Sequence, residues 1–235
     1  MTESNISDIP KIDRESFILE RLPLDGGRVI DIGCGEGWLT HLVAPKTVTT
    51  IGIDPSAIAL ERARASNGAG NGLFLQASAD DLPFDSGSVD IAIYYNSLHH
   101  IPGAIQDKAL SETTRVLSPG GLLCVVEPEA RGACYELFQP IDDESAVFAT
   151  TYNLILALAS GVEFQQVHEE RFVDSYIYRD FEQFLDNALV VNAQRAGIIA
   201  EIEDKLRELF EGLGELVEGG RRYDMVHRLN LLRRL

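Results

Sequence analysis

Between residues 29 and 127 short apolar runs alternate with amphipathic stretches. The runs are 29–32, 48–53, 73–77, 89–95 and 122–126, and β-branched residues recur in most of them. Residues 89–95 are apolar on both faces, as a central parallel strand must be. The pattern between the runs is helical. One helix follows Trp38 and must stop at or before Pro45. A second, alanine-rich helix over 57–65 opens at Ser56 and closes in the glycine and asparagine cluster 67–72. A third covers 105–117 and ends in the turn Ser118-Pro119-Gly120-Gly121. Ahead of all this, Ile12, Phe17, Ile18, Leu19 and Leu22 predict a short amphipathic helix before a turn at 23–27. Regular alternation of this kind predicts a doubly wound, mostly parallel α/β sheet. After Pro128 the rhythm breaks. Residues 131–165 hold one apolar helical stretch, 146–159, and little strand signal. Further on, 171–178 predicts a sixth strand, 181–196 and 198–216 two helices, and 225–232 a final strand.

The first run ends in Asp31 and is followed by Gly33-Cys34-Gly35-Glu36-Gly37-Trp38. Glycines here allow positive φ and let a ligand lie against bare backbone. In open α/β sheets ligands bind beyond the carboxyl ends of the strands, where these glycines fall. Two more features fall at consecutive strand ends: Asp54 after the second strand, and Ser78-Ala79-Asp80 after the third. A carboxylate closing the second strand suits adjacent ribose hydroxyls, so the expected ligand contains a nucleoside. A dinucleotide fingerprint, G-x-G-x-x-G, requires glycine where Trp38 stands. A pyrophosphate also prefers a bare helix N-terminus to a neighbouring carboxylate such as Asp31. A carboxylate there suits a cation, such as an amino acid ammonium. A nucleoside with a cationic amino acid tail is S-adenosylmethionine.

With these residues in view, the chain resembles the class I S-adenosylmethionine-dependent methyltransferases, in the broad group typified by ubiquinone and menaquinone biosynthesis enzymes. The resemblance covers about residues 28–128. It rests on 29–40, Ile53-Asp54-Pro55-Ser56, residues 79–84, 90–95 with Leu98-His99-His100, and 115–121, five motifs in order. It implies a Rossmann-like fold whose seven-stranded sheet ends in an antiparallel strand near 225–232. It implies a single domain over 1–235, with a cofactor-binding core at 28–128 and a helical cap at 129–170. Asp31 and the backbone from Gly33 through Cys34 and Gly35 to Gly37 would hold the methionine part. Asp54 would take the ribose hydroxyls, with Pro55 near the adenine. Ser78, Ala79 and Asp80 would read the adenine edge. Family members often carry aspartate where Ser78 stands; serine can still accept a hydrogen bond, and Asp80 is the alternative acceptor. Asn96 and Ser97 would approach the sulfonium through backbone groups. Methyl transfer is an in-line displacement, so a base is needed only when the acceptor loses a proton. His99 and His100 stand at the right strand end for that. Glu127 ends the fifth strand on the same side, suited to substrate contact or to a turn. Trp38 suits helix–sheet packing or a substrate platform. Tyr135, Phe148 and Tyr152 suit a lid over an acceptor pocket, or the packing of appended helices.

Charge narrows the partners. The 235 residues carry a formal net charge of −17, which repels phosphate backbones and disfavours nucleic acid. Three cysteines, Cys34, Cys124 and Cys134, form no Cys-x-x-Cys pair, so neither a disulfide framework nor a metal site is expected. No apolar run approaches the ~20 residues of a membrane helix and the start has no signal character, so a cytoplasmic location is expected; monomer and homodimer both stay open. The expected activity is methyl transfer to a small-molecule acceptor. The alternatives are a protein that binds the cofactor without turnover, and a methyltransferase acting on RNA or protein. The residues name no acceptor.

Overall fold

The computed structural model describes residues 5–66, 72–191 and 193–235. Residues 1–4 of the polar start, and 67–71 of the expected 67–72 turn, lie outside the described residues. Contacts divide the chain into two compact units: one of residues 13–127, 150–170 and 228–235, the other of residues up to 12, 128–149 and 171–227.

The first unit opens with α1 (Arg14–Arg21), capped by Asp13, whose side chain accepts from the Ser16 amide at 2.9 Å. There follow β1 (Arg28–Ile32), α2 (Trp38–Val43), β2 (Thr49–Asp54), α3 (Ala57–Ala65), β3 (Leu73–Gln76), β4 (Val89–Tyr95), α4 (Gly103–Val116) and β5 (Leu117–Pro128). Ser56 caps α3 by accepting from the Ala59 amide, as its position before an alanine-rich run predicts. β1 pairs in parallel with both β2 and β4, β2 with β3, and β4 with β5. The order runs β3-β2-β1-β4-β5, then β8 and β6. The winding therefore reverses between β1 and β4, the switch point where such sheets bind ligands. The core is aliphatic: Ile30, Ile32, Ile53, Ala92, Leu98, Leu123 and Val125 are buried, with Tyr94 among them bonded to Thr113. Strands covered on both faces need this composition.

The second unit contains α5 (Ala133–Phe138), α7 (Phe181–Val191), α8 (Ala196–Leu213) and β7 (Glu215–Val217). Helix α6 (Ser145–Ala159) and the strands β6 (Phe164–Tyr178) and β8 (Gly220–Arg234) each contribute residues to both units. The second unit has its own aromatic core, in which Phe184 meets Tyr178, Phe181 and Phe210 with ring centroids 5.6–5.9 Å apart.

Several boundaries differ from the sequence reading; the helix expected over 181–196, for one, ends at Val191. The stretch 118–121 is not a free turn: β5 starts at Leu117, pairs there with Val89, and shifts register before Ile91 with Gly120 at φ +81°. Pairing across the strands holds what the local Pro-Gly-Gly signal would have released. β6 begins at Phe164, inside the segment expected to be cap. Its first half is largely exposed and polar (Gln165, His168, Glu169), which hides a strand from a hydrophobic pattern. The long second helix ends at Leu213, because residues 215–217 instead pair antiparallel with 220–222. β8 is correspondingly longer than 225–232, and seven strands lie on the main path with β7 attached to β8 alone.

Candidate functional site

The turn after β1 is strapped to the end of β2. The Gly33 and Cys34 amides both donate to the Ile53 carbonyl, at 2.7 and 3.0 Å. Asp54 completes the strap: one carboxylate oxygen accepts from the Gly35 amide at 3.0 Å, the other from the Ser56 amide at 2.8 Å. Two glycines of the turn meet different demands. At Gly37, φ is +80° and a Cβ would fall 2.7 Å from the Phe74 ring. At Gly35, φ is +54° and a Cβ would meet nothing within 4 Å, because that position faces open cleft.

Beneath the turn Asp31 is 2% exposed, and Thr40 Oγ1 donates to it at 2.7 Å. Burial pushes its carboxyl up to about 6; the Thr40 hydrogen bonds oppose this and the Asp54 charge adds to it. Cys34 is buried against Leu60, Ala63 and Phe74, its thiol pushed up by burial and then by Asp31 and Asp54. That environment makes it a packing group and a poor nucleophile.

A cleft of about 400 Å³ opens beyond these strand ends. Among the residues singled out from sequence, Gly33, Gly35, Asp54, Pro55, Ser78, Ala79, Asn96, Ser97 and His100 line it. They come from the ends of four strands, and Ile32, Ile53, Ile101, Pro102 and Ile105 give it an apolar wall. Asp31, Cys34, Gly37, Asp80 and His99 are not on its lining. The first three are buried behind the turn. Asp80 accepts from the Ser78 hydroxyl and from Lys108, and these hydrogen bonds hold its carboxyl below the usual range. With its proton directed at Asp80, Ser78 keeps its oxygen lone pairs available.

His99 is 6% exposed and its Nδ1 meets a carboxylate oxygen of Glu127, itself 5% exposed. The other Glu127 oxygen accepts from the Ser97 and Leu98 amides, at 3.2 and 2.9 Å. Glu127 therefore anchors the short 3₁₀ turn Leu98–His100, and His99 is the buried half of that anchor. His100 is the exposed histidine, its ring centroid 3.9 Å from that of His99. This anchoring role of Glu127 was missed as a specific pairing; its only sequence signal is a lone carboxylate closing an otherwise apolar strand. Trp38 is 36% exposed, edge-on to Tyr95 at 5.1 Å and beneath the Arg14 guanidinium at 4.5 Å. Phe148 and Tyr135 pack in or against the second unit's core, the latter donating to Asp143. In the first unit Tyr152 donates to Glu169 and carries the Arg228 guanidinium over its ring.

Two features test whether the residues fit a nucleoside with an amino acid tail. Gly35 leaves the cradle that a Cβ would fill, and Asn96, a lining residue of the cleft, has a buried Oδ1 with no hydrogen-bond partner. Both fit. The sheet order, the strapped glycine turn and the strand-end carboxylate resemble those of the class I S-adenosylmethionine-dependent methyltransferases, and the similarity lies in the core of the chain.

Residues 29–121 match the family described as "Methyltransferase domain". An uncharacterized methyltransferase of Synechocystis sp., sll0829, is 34% identical over 110 residues, 46% of this chain and 51% of its own length. The chain thus spans about half of that relative. The O-methyltransferase resE of Aspergillus sclerotiorum is 28% identical over 222 residues, covering 87% of this chain and 76% of that protein. The YcgJ protein of Bacillus subtilis shares the fold with a TM-score of 0.62 at 20% identity, over 93% of this chain and 97% of its own. These comparisons support the class rather than the ubiquinone and menaquinone group. Among the described residues no helix is long and apolar enough to cross a membrane.

Proposed function

We propose that this protein transfers the methyl group of S-adenosylmethionine to a small-molecule acceptor. The observation that carries the reading is the convergence of Gly35, Asp54, Ala79 and Asn96, from four strand ends, on one cleft. The cofactor supplies an electrophilic methyl group on a sulfonium. On this reading the bare Gly35 backbone admits the ligand, Asp54 accepts from ribose hydroxyls with lone pairs left over from the turn, and Ser78 and Ala79 face the adenine edge. Asp31, buried below the turn, sets a negative field that favours a bound ammonium. Ile32, Ile53, Ile101 and Ile105 keep water from the reacting centre, which strengthens every electrostatic contact there.

The chain's further task is alignment. Where the acceptor gives up a proton, His100 is the histidine on the cleft that can take it at a ring nitrogen. His99 packs behind it. We assign the acceptor side to residues near Trp38. The net charge of −17 favours a small acceptor over RNA.

Calorimetry with S-adenosylhomocysteine tests the cofactor claim directly. A folded protein that binds neither this product nor S-adenosylmethionine refutes it. Formation of S-adenosylhomocysteine across a panel of hydroxyl, amine, thiol and carbon acceptors then tests turnover. Binding without turnover on any acceptor class points to the non-catalytic alternative.

A further inference from the structure

Three elements meet around one hydroxyl group beneath the glycine turn. In the parallel register of β1 and β2, Asp31 is the partner of Gly52. From α2, the fully buried Thr40 donates its hydroxyl to Asp31 Oδ2 at 2.7 Å. A Cβ on Gly52 would fall 2.6 Å from Thr40 Oγ1 and 2.8 Å from Cys34 Sγ. Gly52 is not among the glycines with positive φ, so its position asks for space and not for conformation. Glycine inside a strand weakens it and marks a close approach. Here β2 gives up a side chain, and the hydroxyl of α2 reaches the carboxylate of β1.

The surroundings of Asp31 show what the hydroxyl does. The carboxylate is 2% exposed, and the titratable groups facing it are Asp54 at the end of β2 and Cys34 in the turn. Its cross-strand partners, Gly52 and Ile93, are uncharged. Burial and a like charge both favour the neutral acid, whereas a donated hydrogen bond favours the anion. Burial pushes the carboxyl up to about 6 even with Thr40 opposing it. Loss of the hydroxyl removes that opposition and raises the carboxyl further.

Resting on the function proposed above, we propose that Thr40 is a positioning residue for the methyl donor: its hydroxyl holds the Asp31 carboxylate ionised and fixed beneath the turn, where that charge attracts the donor's ammonium. Thr40 is not on the lining of the cleft and acts through Asp31.

Calorimetric titration between about pH 5 and pH 8 with two probes tests this. The probes are S-adenosylhomocysteine and 5′-deoxy-5′-methylthioadenosine, which lacks the amino acid. The proteins are wild type, Thr40→Ser, Thr40→Ala and Thr40→Val. Serine and alanine differ by the oxygen alone, and valine keeps the shape of threonine, so either hydroxyl-free variant that folds carries the comparison. Wild type should lose S-adenosylhomocysteine affinity as pH falls through about 6, while its affinity for methylthioadenosine stays flat. Removing one hydrogen bond to a carboxylate should move that fall upward by about one pH unit. Thr40→Ala and Thr40→Val should then bind S-adenosylhomocysteine about fivefold more weakly than wild type near pH 6, and converge on it near pH 8. Thr40→Ser should follow wild type. An unshifted profile in the hydroxyl-free variants overturns the proposal, as does a Thr40→Ser profile shifted like theirs. Equal weakening of both probes at every pH overturns it too, since that reports a distorted turn. A wild-type profile flat in pH removes Asp31 from recognition, and the proposal with it. Wild type binding neither probe refutes the cofactor reading itself, a result separate from the others.

Discussion

His99 and Glu127, 28 residues apart, form a pair in which both side chains are about 95% buried, and the same carboxylate receives the Ser97 and Leu98 amides. The pair ties the turn after β4 to the end of β5. Removing the carboxylate with Glu127→Ala leaves two backbone amides and a ring nitrogen without an acceptor in a dry site. Denaturant unfolding should show a loss of about 3 kcal/mol. Glu127→Gln keeps one oxygen for the amides and should lose less than half as much. A Glu127→Ala variant as stable as wild type would remove the anchoring role.

Asp31 gives stability a pH dependence of definite sign. Its carboxyl is raised from 3.8 to about 6 in the folded protein, so between those values the folded state binds the proton more tightly than the unfolded one. The protonated form is stabilised, and that contribution is lost as pH rises toward and through 6. Asp31→Asn removes the titration. The variant should gain on wild type progressively from about pH 4 to pH 7, by up to about 3 kcal/mol, while losing affinity for S-adenosylhomocysteine. Urea titrations of both proteins at several pH values check this; a constant gap between them would refute it.

The glycines of the turn should separate stability from binding. Gly37→Ala drives a Cβ against Phe74 and Ala63 at φ +80° and should cost about 2–4 kcal/mol of stability. Gly35→Ala meets only backbone strain, about 1–2 kcal/mol, but its methyl enters the cleft. It should lose S-adenosylhomocysteine binding out of proportion to its melting temperature. Two variants with the same ratio of lost binding to lost stability would contradict the assignment.

Asp54→Ala should weaken S-adenosylhomocysteine by on the order of 1–3 kcal/mol. Because Asp54 also holds the Gly35 and Ser56 amides, a stability loss should accompany it. An analogue lacking the ribose hydroxyls isolates the direct part, since its affinity should change less than that of S-adenosylhomocysteine. Equal changes would assign Asp54 to the turn alone.

Residues 29–127 were legible because their signals are local. A β-branched run, a glycine turn, a serine cap and an alanine-rich helix each need only near neighbours. Accordingly α3 and β4 fall on the boundaries the sequence predicts, and β1 through β3 within a residue of them. The candidate site was legible as a set of strand ends for the same reason: the fold class places them together once the alternation is recognised. What stayed hidden depends on partners distant in sequence. The start of β5 is decided by its pairing with Val89, and β6 carries too many charges on its exposed half to look like a strand.

The sequence by itself determined the alternating fold, the glycine turn and the strand-end carboxylates, all of which follow from periodicity and turn chemistry. Only the tertiary structure decided which of the two histidines faces the cleft, that Glu127 holds the other, that Asp31 lies dry beneath the turn, and that the Thr40 hydroxyl donates to it there. Burial, pairing and the need to satisfy polar groups are properties of chain segments brought together. No window along the sequence contains them.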